Sequence, residues 1–306
     1  MTSNAHPARY GYVILASTLL FGSTFPATKA VLQEMTPLWA VSLRFLVAAL
    51  SIYPFLLLKR IFLKRPIIPP AMPWRVIAAV GLLQTAGSTG FLNLGLRTTS
   101  APKASILMAC TPLLVALLSA IVFKEKIRLL ALLGLLISFV GVVLCIGPAA
   151  VAAGKFGLGD ALVLCGALCW SVATLLVKRA NLRIDIFLLS FWQMAIGALV
   201  LAALAAAAGE KFAAPVSAPI WLAFLWLAVP ATTGAMALWF LALRLGGAVQ
   251  TCGYLFLSPL FASIISFFAF GYVLSPVELA GGVLIGLGIY LGAKGAPKPA
   301  ALAAAA

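Results

Sequence analysis

The chain alternates between long apolar runs and short polar connections that are rich in Pro, Gly and basic residues. An apolar run of about 20 residues, rising about 1.5 Å per residue, matches the roughly 30 Å hydrocarbon core of a bilayer. The pattern predicts an all-α membrane protein with ten transmembrane helices. Their predicted ranges are 10–32, 37–58, 73–96, 103–123, 129–147, 158–178, 186–208, 220–243, 248–270 and 275–293. We expect the Ala-rich tail after Lys294 to be disordered.

Composition agrees with this pattern and narrows the possible partners. Of the 306 residues, 64% are apolar and 9% are charged. In a soluble domain about half of the residues are apolar and about a quarter are charged. The formal net charge is +15, but the basic residues cluster between apolar runs, as in membrane proteins that fix their orientation by charge. We therefore expect the lipid bilayer, and not nucleic acid, to be the partner of this charge.

The distribution of basic residues also predicts the orientation. Most of the 21 Lys and Arg residues lie in connections on the same side as the N-terminus, and the opposite side holds only Arg97, Lys103, Lys155 and Lys211. Positive charge favours the cytoplasmic side, and an even number of spans returns the chain to the side where it began. Both termini are therefore predicted to be cytoplasmic.

Rare residues recur along the chain at a fixed spacing. A shift of about 147 residues aligns the third to fifth spans with the eighth to tenth, and a shift of about 149 aligns residues upstream. The matched pairs are Arg97 with Arg244, Thr111-Pro112-Leu113 with Ser258-Pro259-Leu260, Ser119 with Ser266, Gly134 and Gly141 with Gly281 and Gly288, Lys29 with Lys178, and Arg44 with Gln193.

This repeat predicts two halves, residues 1–150 and 151–306. Each half holds five spans, which is an odd number, so the second half is predicted to be inserted upside down relative to the first. Inverted repeats support alternating access about a site near the bilayer midplane.

Proline and small residues fall within three of the predicted spans. Pro112 and Pro259 lie near the middle of the fourth and ninth spans, where proline removes a backbone hydrogen bond and bends a helix. They are either paired hinges that gate a cavity or static kinks. The first span is predicted to be interrupted in its outer half, so that Ser23 and Thr24 hold a substrate; close helix packing is the alternative. The interrupting residues are Gly22, Ser23, Thr24 and Pro26.

Two basic residues lie inside predicted spans, both near the outer ends. Lys29 and Arg44 can snorkel toward the interface, but Arg44 lies deeper than snorkelling alone explains. It either holds a substrate carboxylate or pairs with Glu34 to lock an outer gate. We assign Lys29, Glu34 and Arg44 to gating.

The acidic residues exclude several mechanisms. All six lie in connections or at span ends, so the carboxylate that a proton or sodium carrier places at mid-membrane is missing. No Walker A sequence and no cluster of acid, base or metal-binding residues is present, because the five cysteines lie in apolar runs and His6 is in the N-terminal tail. We expect no enzyme activity, no metal and no cofactor, and we predict facilitated diffusion or exchange.

Polar and aromatic side chains within the spans are the candidates for a cavity lining. Each needs a partner in lipid or must face the bundle interior. For any one of them taken singly, helix–helix hydrogen bonding or interface anchoring is a more common role than contact with a ligand. A lining without acids suits an apolar, zwitterionic or anionic solute. These candidates are Gln84, Ser88, Asn93, Trp170, Thr174, Gln193, Trp239 and Tyr254.

Taken together, the motifs resemble the drug/metabolite transporter superfamily, EamA type, over nearly the whole chain. The motifs are Phe21-Gly22-Ser23-Thr24-Phe25 with Lys29, Pro37 with Arg44-Phe45, Thr111-Pro112-Leu113 before Lys124-Glu125-Lys126, Gly134 with Gly141, Trp170 with Lys178-Arg179, and Ser258-Pro259-Leu260. The resemblance implies a ten-helix, inverted-repeat exporter of amino acids or related metabolites in a bacterial inner membrane. Within the superfamily the chain is similar to aromatic amino acid exporters of the YddG type.

We therefore predict an exporter of small molecules, with amino acids and especially aromatic ones as substrates, working by alternating access. The alternatives are a proton-coupled drug or metabolite exporter, a non-transporting membrane scaffold and a membrane-embedded enzyme. We expect a monomer; Gly-x3-Gly spacings in the last span would also allow a dimer.

Overall fold

The structure is a computed structural model that describes residues 5–63, 72–95, 98–99, 101–124, 127–146, 156–180, 185–270 and 276–295. These residues form helices and short connections, with no strand among them, which confirms the all-α class. The first half holds α1 Ala5–Val31, α2 Pro37–Leu63, α3 Trp74–Val80, α4 Ser88–Gly95, α5 Ala101–Met108, α6 Thr111–Phe123 and α7 Leu129–Ile146. The second holds α8 Leu158–Ala180, α9 Ile186–Ala207, α10 Ala218–Ala228, α11 Ala235–Gly246, α12 Ala248–Gly253, α13 Leu257–Phe270 and α14 Pro276–Gly295.

Length and composition identify which helices can cross a bilayer. Among the described residues, seven helical stretches are long and apolar enough to do so. Three further apolar helices are shorter, at Leu129–Leu144, Ala248–Ala262 and Leu279–Gly292. The predicted disordered tail and the side chain of Lys29 lie outside the described parts of the chain.

The predicted third and eighth spans each contain a π turn, which the sequence analysis did not anticipate. The first π turn, Gly81–Gly87, joins α3 to α4, and the second, Val229–Gly234, joins α10 to α11. A π turn accommodates an extra residue within a continuous helix, locally widens it and often marks a functional site. The two final glycines, Gly87 and Gly234, are separated by the 147 residues of the sequence repeat.

The fourth predicted span is broken before Pro112, and the ninth changes its helix type before Pro259. A turn at Ala109 and Cys110 separates α5 from α6, and Pro112 lies in the first turn of α6. Its missing N–H costs nothing there, because the first N–H groups of a helix have no partner within the helix. The equivalent span changes to a 3₁₀ turn at Tyr254–Phe256 before Pro259.

The predicted interruption of the first span is wrong, since α1 is continuous from Ala5 to Val31 and contains Pro26. The hydroxyls of Ser23 and Thr24 donate to the carbonyls of Leu20 and Phe21 at 2.7 Å, so both bond to the preceding turn of their own helix. A Cβ on Gly22 would lie 2.8 Å from the carbonyl oxygen of Ser258. Gly22 therefore allows α13 to pack closely on α1.

Two long contacts connect the halves. Helix α2 runs antiparallel to α9, because Ser42 near the start of α2 bonds the carbonyl of Ala198 at 2.9 Å. At the other end of α2, Lys59 pairs with Asp185, which also caps α9 by accepting from the N–H of Phe187. Helices α7 and α14 also pack antiparallel along their length, because Gly134 meets Gly288 and Gly141 meets Gly281.

Most of the remaining contacts come in matched pairs. Helix α1 packs on α10, α11 and α13, and α8 packs on the equivalent helices α3, α4 and α6. The second π turn packs on α2, and the first packs on α9. Exchanging the halves therefore reproduces these contacts, whereas the contact of α8 with α5 has no equivalent of the same extent between α1 and α12. The main apolar core lies between the halves and includes the fully buried side chains of Ile14, Met194 and Trp239.

The α7–α14 contact depends on glycine, and this can be tested. A Cβ on Gly134 would lie 2.5 Å from the carbonyl oxygen of Gly288, and one on Gly141 would lie 2.7 Å from that of Gly281. We expect Gly134→Ala to destabilise the protein by about 1–3 kcal/mol, because backbone atoms would have to move apart. The measurement is the unfolding temperature in detergent.

Gly286→Ala is the matched control for this substitution. Gly286 lies on α14, and a Cβ there meets nothing within 4 Å. Since alanine favours a helix more than glycine does, we expect no loss of stability. Equal losses in the two variants would contradict the packing argument.

Candidate functional site

Three aromatic side chains meet where helices of the two halves adjoin. The ring centroids of Trp170 on α8 and Trp239 on α11 are 6.0 Å apart. Phe21 on α1 lies 5.9 Å from the first and 6.0 Å from the second, with nearly perpendicular ring planes. Such edge-to-face spacing is favourable for aromatic pairs. We call Phe21, Trp170 and Trp239 the aromatic triad.

The triad carries polar hydrogens that the protein does not use. Within the described residues, the buried indole N–H groups of Trp170 and Trp239 have no hydrogen-bond acceptor. A buried donor without a partner costs about 1–3 kcal/mol, and buried polar groups in proteins are nearly always bonded. Two such donors side by side therefore favour a site whose acceptor is supplied by a ligand.

Gln84 adds an unused acceptor next to the triad. Its side chain is fully buried on the first π turn, and its Oε1 has no donor among the described residues. Its Nε2 lies 4.0 Å from the sulfur of Met236, which is about one helical turn before Trp239 on α11. The site thus combines N–H donors, a carbonyl acceptor and aromatic surface.

A hydrogen bond to the facing helix holds each π turn. The hydroxyl of Thr85 donates to Oε1 of Gln193 on α9 at 2.6 Å. In the other half, Nε of Arg44 on α2 donates to the hydroxyl of Thr232 at 2.6 Å. The two threonines are 147 residues apart, and Arg44 and Gln193 are 149 apart, so the repeat places a threonine and a long polar side chain in equivalent roles. We call these contacts the two π-turn latches.

Several other predicted site residues are used in local bonding. Thr174 donates to the carbonyl of Trp170 at 2.9 Å, and the amide of Asn93 donates to that of Thr89 at 2.8 Å. The hydroxyl of Ser23 also accepts from Trp226 at 3.1 Å. Ser88 is buried where Gly166 of α8 comes close to its carbonyl. Thr174, Asn93 and Ser23 thus bond within or between helices around the triad, and Ser88 lies at the close contact of α4 with α8.

Tyr254 lies in the same apolar core as the triad but is paired elsewhere. Its ring meets Tyr10 of α1 edge-on with centroids 5.9 Å apart, and the hydroxyl of Tyr10 lies 3.3 Å from that of Thr251. Tyr254 forms the 3₁₀ turn that breaks the proline-containing span. It therefore adjoins the segment that a hinge at Pro259 would move.

The predicted lock between Glu34 and Arg44 is not formed. Both Glu34 oxygens instead bind the start of α10, with Oε2 accepting from the N–H of Val216 at 2.6 Å and Oε1 from the hydroxyl of Ser217 at 2.7 Å. In return, Glu210 of the segment before α10 accepts from the N–H of Leu38 at 2.9 Å. Carboxylates are favourable at helix N-termini. Each of the two acids therefore joins a connection of its own half to the start of a helix in the other half.

Sequence reasoning missed Phe21, Thr85, Thr232 and Met236. The two threonines had a usable signal, because Thr85 and Thr232 each stand two residues before the glycines at 87 and 234 and share the 147-residue shift. Phe21 belongs to the Phe21-Gly22-Ser23-Thr24-Phe25 motif, in which it indicates only the family. Met236 had no signal, since one apolar residue among many carries no information about which side chains it faces.

A bundle of apolar helices with unused polar atoms at its centre is typical of membrane transport proteins. The chain belongs to the EamA-like transporter family, whose model matches residues 10–147 and 157–292. The resemblance inferred from the motifs is thereby confirmed, including membership of the drug/metabolite transporter superfamily.

Similar proteins agree with this class. An uncharacterized transporter of Archaeoglobus fulgidus is 30% identical over 92% of this chain and 96% of its own length. The uncharacterized inner membrane transporter YedA of Escherichia coli K12 is 26% identical over 89% of this chain and 87% of its own. A solved crystal structure with 20% identity has a TM-score of 0.78 and covers 93% of this chain and 96% of its own, which supports the fold. The family and these names indicate a transporter of small molecules and not an enzyme.

The Glu34 contact predicts a pH dependence of stability. The hydroxyl of Ser217, followed by the N–H groups of Val216 and Ser217, stabilises the carboxylate and lowers the pKa of Glu34 from its ordinary value. Since the pKa is lowered on folding, the contact contributes fully above the unfolded-state pKa and is lost as pH falls through the folded-state pKa. We expect the unfolding temperature to fall as pH drops from about 7 to about 3. We also expect Glu34→Gln to remove part of this fall; superimposable profiles would contradict the assignment.

The neutral π-turn latch predicts a loss of stability when its donor is removed. Thr85→Val keeps the shape of the side chain but leaves Oε1 of Gln193 without its 2.6 Å bond. We expect a loss of about 1–3 kcal/mol, because Gln193 remains buried with an unpaired amide. Thr89→Val is the control, since the hydroxyl of Thr89 bonds a carbonyl of its own helix. Denaturant titration in detergent measures both, and equal losses would argue against the latch.

Proposed function

We propose that the chain exports amino acids, preferentially aromatic ones, or closely related metabolites across the membrane. The observation that carries this proposal is the aromatic triad with its two unpartnered indole N–H groups. Aromatic surface favours a flat apolar side chain, and N–H donors favour a carboxylate or carbonyl oxygen. An aromatic amino acid offers both features within one small molecule.

The polarity of the site supports an anionic or zwitterionic solute over a simple cation. The acids whose side chains are described are Glu34, Asp160, Asp185 and Glu210, and all lie at helix ends or in connections, away from the triad. A cation in a low-dielectric interior needs an opposing charge. The unused Oε1 of Gln84 can accept from an ammonium group without attracting free cations strongly.

Alternating access by two inverted halves, residues 1–150 and 151–306, is the proposed mechanism. Ten spans in this arrangement are supported by the seven long and three shorter apolar helices. The antiparallel α2–α9 and α7–α14 contacts also support it, as do the matching contacts that α1 and α8 each make with equivalent helices of the opposite half. The family matches at 10–147 and 157–292 agree with the proposed halves.

The breaks before Pro112 and Pro259 are the proposed hinges, and they flank the site in equivalent positions of the two halves. With no carboxylate proposed at the site, we infer facilitated diffusion or exchange without coupling to protons. Lys29 remains a proposed gating residue on sequence grounds. We further propose a monomer in a bacterial inner membrane with both termini in the cytoplasm, as the charge distribution predicts.

Counterflow into proteoliposomes tests this function. Vesicles loaded with unlabelled phenylalanine or tryptophan should accumulate labelled external amino acid transiently, with or without a pH gradient. Protein-free vesicles and vesicles loaded with a sugar are the controls. Absence of counterflow for every amino acid would overturn the substrate class, and accumulation driven by a pH gradient alone would overturn the uncoupled mechanism.

The indole N–H groups should contribute directly to solute affinity. Trp170→Phe and Trp239→Phe keep an aromatic ring but remove the donor, so we expect about 5- to 10-fold weaker binding of phenylalanine. Trp221→Phe is the control, because Trp221 lies 42% exposed on α10 and pairs with Phe224. Titration calorimetry in nanodiscs measures the affinities. Unchanged affinity in both triad variants would exclude the triad as the binding site.

A further inference from the structure

Arg44 carries a positive charge inside a predicted span. It lies seven residues after the start of α2 at Pro37, about 10 Å along the helix at about 1.5 Å per residue. Its Nε bonds Thr232 on the second π turn, and its guanidinium also lies 5.3 Å from the ring centre of Phe45. Ala48 and Ser51, on the same face of α2, bond Thr233 of that turn. Arg44 therefore faces the interior of the bundle and does not reach out along its surface.

The repeat indicates that the latch does not need this charge. In the other half, the neutral Gln193 holds the first π turn through Thr85 at 2.6 Å, the same distance at which Arg44 meets Thr232. An intramembrane charge is costly and marks a functional site by default. Because a glutamine performs the equivalent structural task, the charge of Arg44 requires another explanation.

The guanidinium has donors to spare for a ligand. The guanidinium has five N–H donors. Within the described residues, one of them bonds the hydroxyl of Thr232, and no bond to the other four is found there. Arg44 forms no salt bridge with a described residue. The salt bridge found on α2 joins Lys59, at the other end of the helix, to Asp185. A partly buried guanidinium with both terminal nitrogens available is suited to bind a carboxylate through two parallel bonds.

The positions of neighbouring groups fit a small amphipathic solute. Thr232, Met236 and Trp239 follow one another from the second π turn into α11, and they contact Arg44, Gln84 and the rest of the triad respectively. The seven residues from Thr232 to Trp239 span about 10 Å of helix. A carboxylate bound by the terminal nitrogens of Arg44 keeps lone pairs that the indole N–H groups can bond, and its attached ring would lie against the triad, with Gln84 beside it.

We propose that Arg44 is the carboxylate-binding residue of the transport site, and that it selects solutes with an anionic group at the end opposite their apolar part. This assignment rests on the proposed transport of aromatic solutes and specifies which chemical group they must carry. It also moves Arg44 from gating to substrate recognition.

Paired acid and amide probes test the assignment. Binding of 3-phenylpropionate, 3-phenylpropanamide and L-phenylalanine is measured by titration calorimetry with the full chain in nanodiscs. We expect the wild type to prefer the acid over the amide. We expect Arg44→Gln, which installs the side chain found at the equivalent position 193, to weaken binding of both carboxylates about 10- to 100-fold. Binding of the amide should change by less than about twofold, as expected for a probe that lacks the charged group.

Two further variants separate recognition from structure. Arg44→Lys keeps the charge and should retain the preference for the acid, even where it lowers affinity. Lys59→Gln removes a positive charge from the other end of α2 and should leave both affinities unchanged. If Arg44→Gln weakens acid and amide equally, Arg44 is only a latch and the proposal is wrong.

The same measurements distinguish this proposal from the proposed function. Counterflow of amino acids by a wild type that binds acid and amide equally would overturn carboxylate recognition and leave the function standing. Arg44-dependent binding of 3-phenylpropionate without counterflow of any amino acid would support carboxylate recognition by Arg44 and overturn the proposed export of amino acids. A wild type that binds neither carboxylate would overturn the assignment of Arg44.

Discussion

The structure depends on one constraint, which is that a bilayer offers no hydrogen-bond partners to the backbone. A continuous α-helix satisfies its own N–H and C=O groups, so it is the default wherever the chain crosses lipid. The chain departs from a continuous α-helix at two π turns and two breaks. There, side-chain hydroxyls donate hydrogen bonds to backbone carbonyls. Thr232 donates to the carbonyl of Leu227 at 2.7 Å, and Thr111 donates to that of Met108 at 2.6 Å. The departures occur in spans that contact the helices of the triad, and the 3₁₀ turn also packs on α7 through Phe256.

This arrangement divides the bundle into two kinds of contact. The α7–α14 pair is held mainly by glycines that bring the backbones together, with one buried hydrogen bond from the hydroxyl of Ser138 to the carbonyl of Ile285 at 3.3 Å. Around the triad, by contrast, polar groups bridge helices, and some polar atoms have no partner within the described residues. Polar contacts can be exchanged for others when a ligand arrives, whereas close backbone packing cannot. The difference supports the proposal that the region of the triad recognises the solute, whereas the α7–α14 pair contributes close packing.

Much of the fold was accessible from sequence because the bilayer is a demanding solvent. The hydrophobic runs predicted the all-α class, and the motifs identified the family correctly. Trp170 and Trp239 were singled out because aromatic polar side chains are conspicuous among aliphatic residues. Predictions failed where packing between helices outweighed the local tendency of glycine and proline to interrupt a helix. Gly22 and Pro26 suggested an interruption of α1, yet the helix continues because packing against α13 and hydroxyl bonds within α1 stabilise it.

Hydrophobicity and the recurrence of rare residue types were enough to predict the membrane environment, the helical class, the family and the positions that share the 147- to 149-residue spacing. Which side chains meet became visible only in the folded chain. Periodicity within a single helix cannot reveal that Glu34 binds the start of α10 instead of Arg44, or that Phe21 completes the triad. The physical reason is that these contacts join residues far apart in the chain, and their partners are chosen by how the helices of the two halves pack.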